Sequence, residues 1–323
     1  MIMMCVGMIL ALVLAMLFGV PYIDLMKKKM YGQYIREVAP ENHAKKEGTP
    51  TTGGVFIIAA IVIASIVTLL LAQKLGNNAW IVLITTILFA VMGYKDDSIK
   101  IHGKNNQGLT ARAKLVLQIA VAAIPAIYVA NSGATVVNFA GNFINLGWLY
   151  PLFAIFVVVG SSNAFNLTDG LDGLATSCGI PAFLSIAAIA SFVHRPDIAI
   201  ISIVTVGALL GFLKYNKPKA QIFMGDTGSL ALGGLMGTLA VLGKFEFELA
   251  IIAGVFVLEA LSVIIQVWYY RKTGKRFFKM APLHHHYELC DYSEERIVKM
   301  FAVVSMLFAF LGYLIVTGGA LVW

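Results

Sequence analysis

Charge is what this sequence has least of. Asp, Glu, Lys and Arg make up 13% of its 323 residues, against roughly 25% in a soluble domain. Hydrophobic residues take 59% and the mean hydropathy is +0.84, so most of the chain has no water to face. Cysteine is scarce too. Cys5, Cys178 and Cys290 have neither metal-ligand nor redox spacing, and no disulfide framework is implied. There is no Walker A loop, Rossmann glycine fingerprint, His-Glu-x-x-His pair or Ser nucleophile elbow. Internal repeats and low-complexity tracts are missing as well.

What is present is a series of apolar runs, at residues 2–20, 53–72, 79–93, 113–130, 147–160, 173–193, 198–213, 228–242, 249–270 and 297–322. Several approach the ~20 residues that span hydrocarbon; those at 79–93, 147–160 and 228–242 are short. Backbone polar groups in a bilayer must be satisfied within the segment, so each run is read as a helix. The first run has no basic segment before it and no small-residue cleavage site, unlike a signal peptide. The expectation is an all-α integral membrane protein of about ten transmembrane helices. It forms a single polytopic domain, with chemistry in loops near 21–52, 94–112, 161–172, 214–227 and 271–296.

A net charge of +7 would suit nucleic acid, but the charges sit in short loops between apolar runs. Of the 24 Lys and Arg residues, 21 fall in alternate loops, leaving Lys74, Arg195 and Lys244 for the other side. One missed span would scramble that asymmetry. The positive-inside rule then puts the basic loops in the cytoplasm and both termini outside it.

The acidic residues gather at the same span ends. Asp96 and Asp97 close the third run; neighbouring residues on a helix point about 100° apart, which suits two different tasks. Asn163, Asn166, Asp169 and Asp172 recur at every third position, one drifting polar stripe if the segment is helical. Capping explains one or two of these but not four. Asp226 opens the eighth run between Gly225 and Gly228, which let a phosphate or metal approach the backbone. His284, His285 and His286 follow Pro282 in the last basic loop, where imidazoles can donate to phosphate or assist proton transfer. Before the second run, His43, Lys45 and Lys46 lead into a Thr49–Gly54 turn containing Thr51 that can hold an anion. Each motif alone has a plainer reading as a cap, a solvated helix end or positive-inside charge. Glu259, in mid-run, fits an interhelical hydrogen bond as well as a site role.

Together, carboxylates from three loops suit a hard cation such as Mg²⁺, commonly held by one or two carboxylates plus substrate phosphates. Lys46, Lys100, Lys104 and Arg112 can neutralise a diphosphate. The residues thus indicate a magnesium-dependent phosphoryl-transfer enzyme at the membrane surface, with substrates unspecified.

At these same positions the chain closely resembles the polyprenyl-phosphate N-acetylhexosamine-1-phosphate transferases. The matching stretches are KKEGTPTTGG (45–54), DDSIK (96–100), GLTARAKLVLQI (108–119), NAFNLTDGLDGLA (163–175), FMGDTGSLALGG (223–234) and APLHHHYE (281–288). Ala39-Pro40 and Thr52 depart from the family pattern without removing a charged residue. The LHHHYE stretch is similar to the muramoyl-peptide branch rather than the N-acetylglucosamine-1-phosphate branch.

The resemblance implies transfer of phospho-MurNAc-pentapeptide from UDP-MurNAc-pentapeptide to undecaprenyl phosphate. The products are lipid I and UMP, made in the bacterial cytoplasmic membrane for peptidoglycan synthesis. It implies Mg²⁺ on Asp226, with Asp96, Asp97 and Asp169 as further candidate ligands. Leu171, Asp172, Phe223 and Lys46 would shape the uridine pocket. Asn166, Asp169 and His284–His286 would surround the diphosphate and sugar, with Asp96 and Asp97 near the lipid phosphate. Thr51, Lys100, Lys104, Asn163 and Gly225 complete the substrate-binding set. A homodimer is a family expectation. The rival readings are a UDP-GlcNAc:polyprenyl-phosphate transferase and an ion-coupled transporter; transporters usually bind ions near the bilayer midplane.

Overall fold

The computed structural model describes residues 1–29, 48–103, 107–139 and 142–320. Among them are ten helices of 18 residues or more: α1 (Ile2–Lys28), α2 (Gly54–Leu71), α3 (Asn77–His102), α4 (Ala111–Asn131), α5 (Tyr150–Thr168), α6 (Leu174–Phe192), α7 (Pro196–Asn216), α8 (Gly225–Gly243), then α10 and α12. Between α8 and α10 (Gly254–Thr273) lies the short α9 (Glu246–Ile252), and between α10 and α12 (Glu294–Ala320) the short α11 (Leu283–Glu288). Nine of the described helices are long and apolar enough to cross a membrane. The tenth long helix, α8, falls short in hydropathy for a physical reason: every residue from Thr227 to Leu242 is buried, so it faces protein instead of lipid.

Helix α8 is the axis of the bundle, wrapped chiefly by α3 and α5, while α7 packs on α1 and α6. Lipid gives helices no hydrophobic reason to associate, so close contact depends on small residues that let backbones approach. A Cβ on Gly233 would lie 2.4 Å from Ser161 O, and one on Gly237 2.7 Å from Val158 Cα. The α5–α8 contact therefore requires glycine on α8.

Two differences from the sequence reading matter. The run 249–270 is not one helix: α9 ends at Ile252, Ala253 separates the two, and α10 begins at Gly254. Helix α10 buries only Gly254, Val255, Phe256, Glu259 and Ser262, all in its first half. The last basic loop is not wholly irregular either, since its histidines lie on α11.

The bundle has two chemically distinct ends. At one, Asn78 of α3 accepts from Tyr128 of α4 and donates to Asp197 of α7. Lys244 and Tyr150 meet at Glu246 there, beside an antiparallel hairpin of β1 (Val136–Phe139) and β2 (Asn142–Asn145). Lys74 and Arg195 belong to the same end, on the α2–α3 and α6–α7 connections. The opposite end gathers the end of α3 and the starts of α4 and α8, with the end of α5.

Candidate active site

Helix α3 runs two turns past the apolar run, to His102, so Asp96, Asp97 and Lys100 are all helical. Both aspartates are almost fully buried, and they have different partners. Asp97 Oδ1 accepts from Asp226 N (3.1 Å), while Oδ2 accepts from Thr227 N (2.9 Å) and Thr227 Oγ1 (2.6 Å). It thus caps the first turn of α8, where orphan amides and the helix dipole favour a carboxylate. Asp96 faces the other way. Its Oδ1 accepts from Leu109 N at 2.8 Å, and its Oδ2 lies 2.6 Å from Lys100 Nζ and 3.3 Å from Lys114 Nζ.

Asp226, in the first turn of α8, joins these groups. Its Oδ2 accepts from Lys114 (2.5 Å) and Lys100 (3.1 Å), and its Oδ1 accepts from Asn166 of α5 at 2.8 Å. Asn166 also donates to Ser229 Oγ at 2.8 Å. Two glycines permit this convergence. Gly225 has φ +72°, and a Cβ there would lie 2.6 Å from Asp97 Oδ2. A Cβ on Gly93 would lie 2.2 Å from Asp226 O and 2.6 Å from Thr227 N. Alanine is intrinsically the better helix former by about 1 kcal/mol, but a backbone collision typically costs about 1–3 kcal/mol, so the collision wins. Gly93→Ala is therefore expected to lower the thermal midpoint in detergent. Turnover should fall roughly 10²-fold, the usual consequence of a 1 Å misplacement. Unchanged turnover would show that α3 does not set the position of Asp226.

One carboxylate oxygen from each of Asp96, Asp97 and Asp226 lies within 4.8 Å of the others, enough to hold a metal ion. The donors are hard oxygens, as Mg²⁺ prefers. Asp96 Oδ2 is buried and, despite its lysine contacts, has no aligned hydrogen bond among the described residues. It retains accepting capacity, so the site fits a divalent cation. Asp169, just beyond the end of α5, completes the acidic lining. Burial and the charges of Asp226, Asp97 and Asp172 push its carboxyl well above the usual carboxylate range.

The other expected residues divide. The Thr51 region zips onto the α8 approach: Phe223 N donates to Pro50 O, Gly53 N to Phe223 O and Gly54 N to Met224 O. Asp172 is buried, and its Oδ2 accepts from Lys219 N (3.1 Å) and Ala220 N (3.0 Å), fixing the 217–220 turn beside buried Leu171. Asn163 lies outside the cluster. It exchanges two hydrogen bonds with Gln118 of α4, at 2.9 and 3.2 Å, and so joins α4 to α5. His284 is buried on Glu259, His285 Nδ1 lies 2.6 Å from Glu288 Oε2, and His286 Nδ1 accepts from Lys279 N at 3.1 Å. Lys46 and Lys104 lie outside the described residues, as do His43 and Lys45.

The sequence reading did not single out Lys114, which the structure places on two of the three clustered aspartates. Its signal was a lone lysine inside the apolar run 113–130, since an ionisable group within a span is a functional candidate by default. Glu294 was also missed; its Oε1 accepts from Asp172 N at 2.7 Å.

Residues 79–244, just over half the chain and spanning this cluster, match the model of glycosyl transferase family 4. The phospho-N-acetylmuramoyl-pentapeptide-transferase of Bacillus licheniformis is 45% identical over 307 residues, covering 94% of this chain and 95% of that protein. The enzyme of the same name from Geobacillus kaustophilus is 46% identical over 312 residues (96% and 95%). That from Bacillus subtilis is 46% identical over 293 residues (90% of each). The chain belongs to the phospho-N-acetylmuramoyl-pentapeptide-transferase family. In this family member the matched segment holds the aspartates, Lys100, Lys114 and Asn166, whereas the histidines of α11 lie beyond it.

Proposed function

We propose that this multi-pass bacterial membrane protein transfers phospho-MurNAc-pentapeptide from UDP-MurNAc-pentapeptide to undecaprenyl phosphate, releasing UMP and making lipid I. The observation that carries this reading is the convergence of buried Asp96 and Asp97, half-buried Asp226, two lysines and Asn166 at one end of the bundle, in a chain of this family. The site is assigned to the cytoplasmic side, because the loops at that end carry 21 of the 24 Lys and Arg residues. This position also counts against an ion-coupled transporter.

Asp226 and Asp96 would hold Mg²⁺, which when bound neutralises charge on the diphosphate. Asp97 keeps the start of α8 in register by capping it, and Asn166 fixes the rotamer of Asp226. Lys100 and Lys114 supply fixed positive charge where the leaving UMP develops negative charge, in a partly buried site. The acceptor needs little activation: a phosphate monoester has its second pKa near 6 and is largely dianionic at pH 7. Direct in-line attack by the lipid phosphate on the sugar-linked phosphorus is therefore favoured. A covalent route through a phospho-aspartate would need a free carboxylate oxygen. In this structure both oxygens of Asp226 accept hydrogen bonds and both oxygens of Asp97 cap α8, which leaves Asp96, whose Oδ2 keeps accepting capacity, as the candidate nucleophile of that route.

Purified protein in detergent should release UMP from UDP-MurNAc-pentapeptide only when undecaprenyl phosphate and Mg²⁺ are both present. UDP-GlcNAc should be a poor donor. Efficient use of UDP-GlcNAc would move the chain to the neighbouring specificity, and a UMP burst without acceptor would overturn direct attack.

A further inference from the structure

Glu259 is a charged residue in a membrane helix and has none of the roles described so far. It is fully buried, and an uncompensated carboxylate in such a place is expensive. Among the described residues its hydrogen bonds come from α11. Oε2 accepts from Leu283 N at 2.7 Å, and Oε1 accepts from His284 N at 3.3 Å and lies 3.1 Å from His284 Nδ1. Both Glu259 oxygens already accept from backbone amides, and a carboxylate so placed pairs with the tautomer that carries its hydrogen on Nδ1. The other ring nitrogen, Nε2, is buried and has no hydrogen-bond partner among the described residues. It points at the backbone of Gly170, where an added Cβ would lie 2.2 Å from Nε2. Gly170 directly follows Asp169 in the loop lining the acidic cluster.

These contacts define a relay of position. A carboxylate behind one ring nitrogen fixes both tautomer and ring plane, leaving the second nitrogen aimed at its target, as in other carboxylate–histidine pairs. The return of α11 onto α10 brings Glu259 and His284 together.

We propose that Glu259 is the positioning residue for His284, holding Nε2 in one tautomer toward the substrate phosphates or sugar beside Asp169, and that Gly170 is the small residue that leaves room for the ring. The substrate part of this proposal rests on the transferase reading above; the pairing itself does not.

Glu259→Gln preserves shape, but its amide cannot accept from three N–H groups at once. It should lower kcat for UMP release about 10–100-fold, the usual scale for removing the group behind a functional histidine, with KM for the UDP-sugar changed less than about threefold. Combined with His284→Ala, Glu259→Gln should add no further loss, because both act through one ring. Gly170→Ala, which collides with a ring that Glu259 prevents from yielding, should show the same non-additivity and serves if Glu259→Gln does not fold. Multiplying losses in both double variants, or near-full kcat in Glu259→Gln, would overturn the assignment. A readout independent of turnover is the ¹⁵N spectrum of imidazole-labelled protein, with the His284 signals assigned by their loss in His284→Ala. The wild-type chain should show the Nδ1–H tautomer, and Glu259→Gln a mixture. If the wild-type chain made no lipid I yet gave this spectrum, the transferase reading would fail and the pairing would stand. An unchanged spectrum in Glu259→Gln would sink the pairing itself.

Discussion

Replacing Asp226 by Asn is expected to lower kcat/KM for UMP release by roughly 10²–10³-fold, the scale for removing one preorganised electrostatic group from a site where charge develops. The substitution keeps the side-chain shape, so it tests charge and not packing. Asp226 Oδ2 receives both Lys114 and Lys100, at 2.5 and 3.1 Å, and Oδ1 receives Asn166 at 2.8 Å. A neutral amide has only one accepting oxygen for these donors, and its NH₂ would face another donor. The chain also loses the proposed anionic ligand that opens α8. The fold should survive, because Asp97 still caps α8 and Lys100 still reaches Asp96. Turnover should not recover with added Mg²⁺. A variant within tenfold of wild type would remove Asp226 from the metal site.

Lys114→Met should lower kcat about 10²–10³-fold, the scale for losing one preorganised charge aimed at a developing anion. Methionine replaces most of the apolar stem, so the effect isolates the ammonium group. Lys114 touches Asp226 at 2.5 Å and Asp96 at 3.3 Å. Without it, Lys100 is the one lysine left on the clustered carboxylates among the described residues, and their attraction for a divalent ion rises. The half-saturating Mg²⁺ concentration is thus expected to fall while kcat falls, opposite to the effect of deleting a metal ligand. Measuring both against Mg²⁺ concentration separates the cases. Full rescue of kcat at high Mg²⁺ would mean that Lys114 only balances carboxylate charge and does not assist the leaving group.

The stripe of four polar residues shows how far periodicity reaches. Three residues advance about 300° around a helix, so each step drifts about 60°. That drift separates Asn163, which faces Gln118 on α4, from Asn166, which faces Asp226 on α8. The helix then ends at Thr168, so Asp169 and Asp172 lie in the following loop and not on the stripe. Spacing identified a polar face but not which neighbour each residue meets. Glu259 is the converse case: mid-run in sequence, it gains its partner because α11 folds back onto α10.

Hydropathy and charge are local properties, and a bilayer reads them locally. The sequence by itself therefore determined the membrane class, the ten long helices, the uneven placement of Lys and Arg, and the acidic motifs at span ends. Which acids share a site is not local. Asp226 meets Lys100 and Lys114 across more than a hundred residues, through glycine-mediated contacts of α8 with α3 and α5. Only the packing of those helices decided that Asp97 caps α8 while Asp96 faces the lysines, that Lys114 belongs to the site and Asn163 does not, and that Glu259 supports His284. In each case, the direction of a side chain depends on the neighbouring helix it packs against.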